Sequence, residues 1–278
     1  MKKVWIAGAE GHIGTALCEL LDCMEYRLSI TDIKEVDITD LDAVEHYVRF
    51  NRPDVIINCA SLTDVAYCET HRDEAYKVNA IGVRNIALAA NEVHAKVIQM
   101  STDDVFDLEA SVPYNEFDIV HPKTVYGKSK EAGERFLTQL LNRFVIIRSS
   151  WIYGIGKDFV GEVLGNVGKI KVMEVPNNRY AVPTSARELA KVIRYFIDHD
   201  AFGLYHVVCK GSCSRYEFAK AILEYAGKSG EMEIHPVLSK DEMRPAYSVL
   251  DNMMIRLTGM EEPKEWREAL KEYLEEKN

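Results

Sequence analysis

Lys3-Val4-Trp5-Ile6-Ala7 followed by Gly8-Ala9-Glu10-Gly11-His12-Ile13-Gly14 is the stretch whose reading decides the fold. A short apolar run enters a glycine turn, and apolar positions with helical spacing continue through Leu21. This is the pattern of strand, turn and helix. Glycines suit such a corner because the backbone turns tightly and comes close to a pyrophosphate, while the following helix offers free N–H groups and the positive end of its dipole. The spacing is Gly-x-x-Gly-x-x-Gly rather than Gly-x-Gly-x-x-Gly, so a plain structural turn stays open beside nucleotide binding. Its place near the N-terminus, between strand and helix, favours the nucleotide.

Outward from this corner the alternation continues. Arg27–Thr31 reads as a second strand, closed by Asp32 at about the distance where a carboxylate meets an adenosine ribose. That favours NAD over NADP, although Lys34 stands close enough to take a phosphate instead. A helix follows to about Phe50, then an unbroken apolar strand over Asp54–Ala60, as expected where both faces of a sheet are covered. Helices over Glu74–Val78 and Gly82–Val93 lead to a strand over Lys96–Ser101, whose end carries Thr102-Asp103-Asp104. A strand over Phe144–Arg148 runs out into Ser149-Ser150-Trp151-Ile152-Tyr153-Gly154. Strands alternating with amphipathic helices predict an α/β fold with a doubly wound parallel sheet, the Rossmann arrangement.

Past Trp151 the spacing predicts helix over Lys157–Val167, strand over Lys169–Val175, and a polar loop over Pro176–Pro183. Helix follows over Ser185–Asp198, strand over Leu204–Val208, helix over Ser214–Ala226, and a charged helix over Glu262–Glu276 read as a solvated face. We expect a nucleotide-binding part over residues 1–150 and a smaller substrate-binding α/β part over 151–278. The chain is expected to re-enter the first part near 183–200.

Thr124-Val125-Tyr126-Gly127-Lys128-Ser129-Lys130 opens an amphipathic helix to Leu141. Residues four apart share a helix face, so the Lys130 ammonium can sit beside the Tyr126 phenol. A phenol titrating near 10 is a poor acid at neutral pH, and a neighbouring cation moves it toward working pH. Tyr126 could then pass a proton to a carbonyl oxygen, although an ordinary helix face carries the same two residues equally well.

The chain has 278 residues, 47% of them hydrophobic, enough to bury a full core. Its formal net charge of -10 repels phosphate polymers and anionic lipid, which argues against nucleic acid or membrane as a partner. Six cysteines lack Cys-x-x-Cys spacing, and Cys18, Cys59 and Cys209 sit in apolar runs, so free thiols of a cytoplasmic protein are expected. No run approaches membrane-spanning length, and no metal-ligand spacing stands out.

With the glycine turn, Thr102 and Tyr126-x-x-x-Lys130 in this order, the chain resembles an extended short-chain dehydrogenase/reductase. Within that superfamily it is most similar to the dTDP-4-dehydrorhamnose reductase family. The residues that carry the likeness are Ser101-Thr102-Asp103-x-Val105-Phe106, Val125-Tyr126-Gly127-Lys128, Arg148-x-Ser150-Trp151-x-Tyr153, Pro183-Thr184, Gly203-x-Tyr205-His206 and Arg244-Pro245-x-x-Ser248. The resemblance implies an NADH or NADPH site at Gly8, Gly11, His12, Ile13, Gly14, Asp32, Asp37, Ile38, Ala60, Ser61, Leu62 and Met100, completed by Tyr126 and Lys130. Thr102, Asp103 and Trp151 fall at the family's nucleotide-sugar contacts, with Arg179 and Arg244 as candidate basic residues on the substrate side.

The implied catalytic trio is Thr102, Tyr126 and Lys130, reducing the 4-keto group of a nucleoside-diphosphate 4-keto-6-deoxy sugar. The family's pattern is departed from at Asp104, Leu108, Ala66-Tyr67, Asn178-Arg179 and Ala181. These lie around the expected sugar pocket and leave the sugar open. So do the alternatives of a noncatalytic nucleotide-binding regulatory subunit or a nucleotide-sugar epimerase on the same fold, and of a monomer or a homodimer.

Overall fold

Apolar strands that can be covered on both faces collect here into one central sheet. The computed structural model describes residues 1–107, 110–240 and 246–276. Along the first half run β1 (Lys2–Ala7), α1 (His12–Leu20), β2 (Tyr26–Thr31), α2 (Leu41–Asn51), β3 (Val55–Asn58), α3 (Val65–Thr70), α4 (Arg72–Tyr76), α5 (Gly82–Val93), β4 (Lys96–Thr102), α6 (Val125–Leu140) and β5 (Phe144–Ser149). Then come β6 (Ile152–Tyr153), α7 (Phe159–Asn166), β7 (Val172–Pro176), β8 (Tyr180–Ala181), β9 (Thr184–Ser185), α8 (Ala186–Asp198), β10 (Gly203–His206), β11 (Cys213–Ser214), α9 (Arg215–Tyr225), β12 (Glu233–Val237), α10 (Met253–Leu257) and α11 (Trp266–Glu275).

The sheet has the order β2-β1-β3-β4-β5-β10, and every neighbouring pair is parallel. Alternate residues of each strand enter opposite cores. Val4, Ile6, Ile98 and Ile147 pack with Leu17 of α1 and Leu189 of α8, whereas Trp5, Ile56, Val97 and Ile146 pack with Val44, Ile86 and Leu137 of the helices on the other side. The winding reverses at β1, whose carboxyl end carries the glycine turn, and such a reversal opens a crevice beyond the strand ends.

After β5 the chain leaves the sheet and later returns to it, α8 covering the face shared with α1 and β10 pairing with β5. A second core, including Tyr153, Val160, Val175, Phe218, Trp266 and Leu270, lies beside the first. Among the described residues no helix is long and apolar enough to cross a membrane.

Several expectations need correction. The helices expected at Glu74–Val78 and Gly82–Val93 are one continuous run, because α4 passes through a π turn at Lys77–Ile81 straight into α5. Helix α3 was not foreseen. The loop expected at Pro176–Pro183 contains β8, where fully buried Ala181 pairs with Cys213. Strand β12 hides in a largely exposed polar segment and forms only by pairing with β7. The terminal helix is not merely a solvated face: Trp266, Ala269, Leu270 and Leu274 make a buried stripe among its charges. Leu108 and Arg244 lie outside the described residues.

Candidate active site

The glycine turn is shaped by what it touches. Gly8 has φ +77°, a left-handed conformation that side chains disfavour, and a Cβ there would stand 2.4 Å from the Ala60 nitrogen. A Cβ on Gly14 would stand 2.5 Å from the Gly8 oxygen. Gly11 begins α1 with no side chain capping it, so the first backbone N–H groups of the helix open on the crevice. A dinucleotide's pyrophosphate fits such bare backbone. The Asp32 carboxylate accepts the backbone N–H groups of Glu10 (3.0 Å) and Ile33 (2.8 Å), which fixes it beside the turn.

From this turn a cavity of about 900 Å³ runs along the carboxyl edge of the sheet. Gly11, His12, Ile13, Ser61, Thr102, Asp103, Tyr126, Trp151 and Arg179 all line it. Gly8, Gly14 and Ala60 shape the turn from behind, and Leu62 and Met100 meet the site through their backbones. Asp37 and Ile38 do not line the cavity: the Asp37 carboxylate accepts the Thr39 N–H (2.8 Å), and Ile38 is buried in the core beneath Gly82.

At the reacting end, α6 is started by two caps, Thr124 Oγ1 accepting the Gly127 N–H (2.9 Å) and Glu69 accepting the Val125 N–H (2.7 Å). Gly127 is required there, since a Cβ would fall 2.0 Å from the Asp104 carbonyl oxygen. These contacts hold Tyr126 one helical turn before Lys130. Lys130 Nζ donates to the Met100 carbonyl (2.8 Å) and to Ser61 Oγ (3.2 Å). Burial pushes its pKa down to about 8 against the opposing pull of Glu134 and Cys59.

Burial likewise raises the Tyr126 phenol above its ordinary range, the Asp104 carboxylate adds to the rise, and a hydrogen bond with Thr102 opposes it. The expectation that Lys130 draws the phenol toward neutral titration is therefore corrected. The ammonium is turned to Ser61 and Met100, and burial keeps the tyrosine protonated. Thr102 Oγ1 also donates to Asp103 Oδ1 (3.1 Å) and accepts the Asp104 N–H (3.2 Å).

The sequence model described as the RmlD substrate binding domain matches residues 1–278. The chain belongs to this family. It is 38% identical to the spore coat polysaccharide biosynthesis protein SpsK of Bacillus subtilis, covering 100% of this chain and 99% of that one. It is 34% identical to the dTDP-4-dehydrorhamnose reductase of Aggregatibacter actinomycetemcomitans, with 98% of each covered. The dTDP-4-dehydrorhamnose reductase of Bacillus anthracis, solved in complex with NADP, superposes with a TM-score of 0.97 at 38% identity over 100% of both chains.

Within this RmlD family member, two features of the site escaped the motifs. Asn79, fully buried in the π turn, accepts from Ser61 Oγ and the Leu62 N–H and donates to the Leu62 carbonyl and Ser129 Oγ, at 2.9 to 3.0 Å. It thereby positions the hydroxyl that Lys130 reaches. The signal was a polar residue in an apolar helical run. The second feature is Arg215, whose guanidinium lies 4.1 Å from the Trp151 ring and 4.3 Å from the Phe159 ring at the far end of the cavity.

Trp151 itself takes a left-handed φ of +40° to present its ring there. Of the departures from the family pattern, Asp104 is 5% exposed and lines the cavity, so it does not turn to solvent. Tyr67 is exposed, stacked on His71 and hydrogen-bonded to Glu74. Asn178 is tied to the Ser239 backbone, and Ala181 is buried in β8.

Proposed function

We propose that the protein reduces the 4-keto group of a dTDP-linked 4-keto-6-deoxy sugar, with dTDP-4-dehydrorhamnose as the first substrate to test. The observation that carries this reading is the meeting of Thr102 and a buried, protonated Tyr126 on the cavity that begins at the glycine turn. When bound, NADH or NADPH supplies the hydride. The backbone of Gly11, His12 and Ile13 would hold its pyrophosphate, Asp32 its adenosine ribose, and Ser61 with Lys130 the second ribose. Tyr126 Oη would donate its proton to the substrate oxygen as negative charge develops there, and Thr102 Oγ1, turning its one proton away from Asp103 Oδ1, would donate to the same oxygen. Residues 1–150 would then carry the cofactor and 151–278 cover the sugar nucleotide, the chain re-entering the first part near 183–200.

The test is incubation with dTDP-4-dehydrorhamnose and, separately, dTDP-4-keto-6-deoxy-D-glucose, each with NADH and NADPH, following nicotinamide absorbance and the sugar product. Stoichiometric oxidation of the cofactor is the expected result. Cofactor binding without turnover on either sugar would instead favour a regulatory subunit. Interconversion of sugars without net oxidation would favour an epimerase.

A further inference from the structure

Three serines stand at the carboxyl ends of β4 and β5, and two of their hydroxyls are engaged. Ser101 Oγ donates to Glu134, and Ser150 Oγ donates to the Val182 carbonyl. Ser149 is 2% exposed and lines the cavity, yet among the described residues its Oγ has no hydrogen-bond partner. A buried hydroxyl left without a partner is costly, which makes such an atom in a ligand cavity a pointer to what the ligand brings.

The sheet says where this hydroxyl faces. Ser149 is in register with Thr102 on the neighbouring strand. It lies two residues beyond Ile147, so it shares the sheet face whose core includes Ile13, just after the glycine turn. Tyr126 and Lys130 come from α6, which packs with Leu137 on the opposite face. Ser149 thus stands beside Thr102, one strand farther from the glycine turn, where a cofactor that starts at the turn and passes Thr102 would bring its far end.

Resting on the reading above, we infer that Ser149 Oγ hydrogen-bonds the carboxamide of the nicotinamide ring and fixes which face of the ring meets the substrate. The ring must stand beside Thr102 and Tyr126 to deliver hydride, and the carboxamide is its polar substituent. Ser149 is a positioning residue in this account. It exchanges no proton.

The experiment compares wild-type protein with Ser149→Ala by equilibrium titration of NADH and, in parallel, of ADP-ribose, which lacks the ring; thermal unfolding without ligand is measured on both. NADH affinity should fall about three- to tenfold, the range of one neutral hydrogen bond. ADP-ribose affinity should stay unchanged, and the ligand-free melting temperature should not fall.

Equal losses for both ligands would make the effect structural and overturn the inference. Unchanged NADH affinity would overturn it too, including the case in which only the KM for the keto sugar rises and the hydroxyl serves the sugar. Wild-type protein that binds neither NADH nor NADPH would sink the proposed function itself, a result distinct from normal wild-type binding with no effect of the substitution; where only NADPH binds, the same titrations are run with NADPH and 2'-phospho-ADP-ribose.

Discussion

Burial holds the Tyr126 phenol in the protonated state that the proposed proton donor needs. Because the Tyr126 phenol is held protonated, its removal should strike proton transfer and little else. Tyr126→Phe is expected to lower kcat by about 10² to 10⁴, the usual worth of a positioned general acid, with NADH affinity within twofold of wild type. Stopped-flow reduction and fluorescence titration measure the two quantities. Lys130 carries the pH dependence. Its folded-state value near 8 lies below the ordinary lysine range because burial disfavours the ammonium. Its contribution to stability is therefore fullest above the ordinary lysine pKa and is lost as pH falls toward about 8. Cofactor binding has the opposite sign, since the ammonium is the donor: NADH affinity should weaken as pH rises through about 8, and the dependence should vanish in Lys130→Met. Calorimetric titration on either side of that value checks it. Tyr126, Lys130 and Thr102 were legible as residue types at helical or strand-end spacing. What moves the phenol was not, because burial and the approach of Asp104 depend on the folded chain.

Among the elements, the π turn between α4 and α5 reaches the site through Asn79. One extra residue in the turn aims Asn79 at the Ser61-Leu62 strap, and Gly133 permits α6 to come close, since a Cβ there would lie 2.3 Å from the Asn79 carbonyl oxygen. Wide helical turns recur at functional sites for this reason. Asn79→Val removes the acceptor of the Leu62 N–H and of Ser61 Oγ and the amide donor to the Leu62 carbonyl, while Ser129 keeps its bond to the Tyr126 carbonyl. It should destabilise the protein by about 2–4 kcal/mol and also weaken NADH binding, because Ser61 is no longer held against Lys130. Urea unfolding and NADH titration of the same preparation test both parts; a loss of stability with unchanged NADH affinity would separate the strap from the cofactor. The flanking helices were visible from apolar periodicity. Their continuity was not, since a π turn breaks the very period by which a helix is read. Strands β8 and β12 were hidden for a different reason: they are short, and what stabilises them is a partner distant in sequence.

At the scale of the whole molecule, the parallel sheet brings to one edge residues that the chain separates widely: the glycine turn after β1, Ser61 after β3, Thr102 at the end of β4, and Trp151 after β5. That gathering could be read in advance, because parallel strands all point their carboxyl ends the same way. The far end of the cavity could not, since α7, β7 and α9 meet through side-chain packing without a motif. One contact joins the two ends. His12 Nδ1 donates to the Ile155 carbonyl oxygen at 2.7 Å, and Gly156 passes close enough to the ring that a Cβ would sit 3.0 Å from His Cε1. On the proposed reading a single residue would offer its backbone to the cofactor, while its side chain holds the loop leading into Asp158, the cap of α7. Two binding events that pull on one residue are thermodynamically linked, and the linkage is reciprocal: if dTDP tightens NADH by some factor, NADH tightens dTDP by the same factor. His12→Ala should bring that factor to about one while each ligand alone still binds, a result readable from four dissociation constants around a closed cycle. With that outcome the loop would be the messenger between the ligands, and cooperativity would be a property of one imidazole.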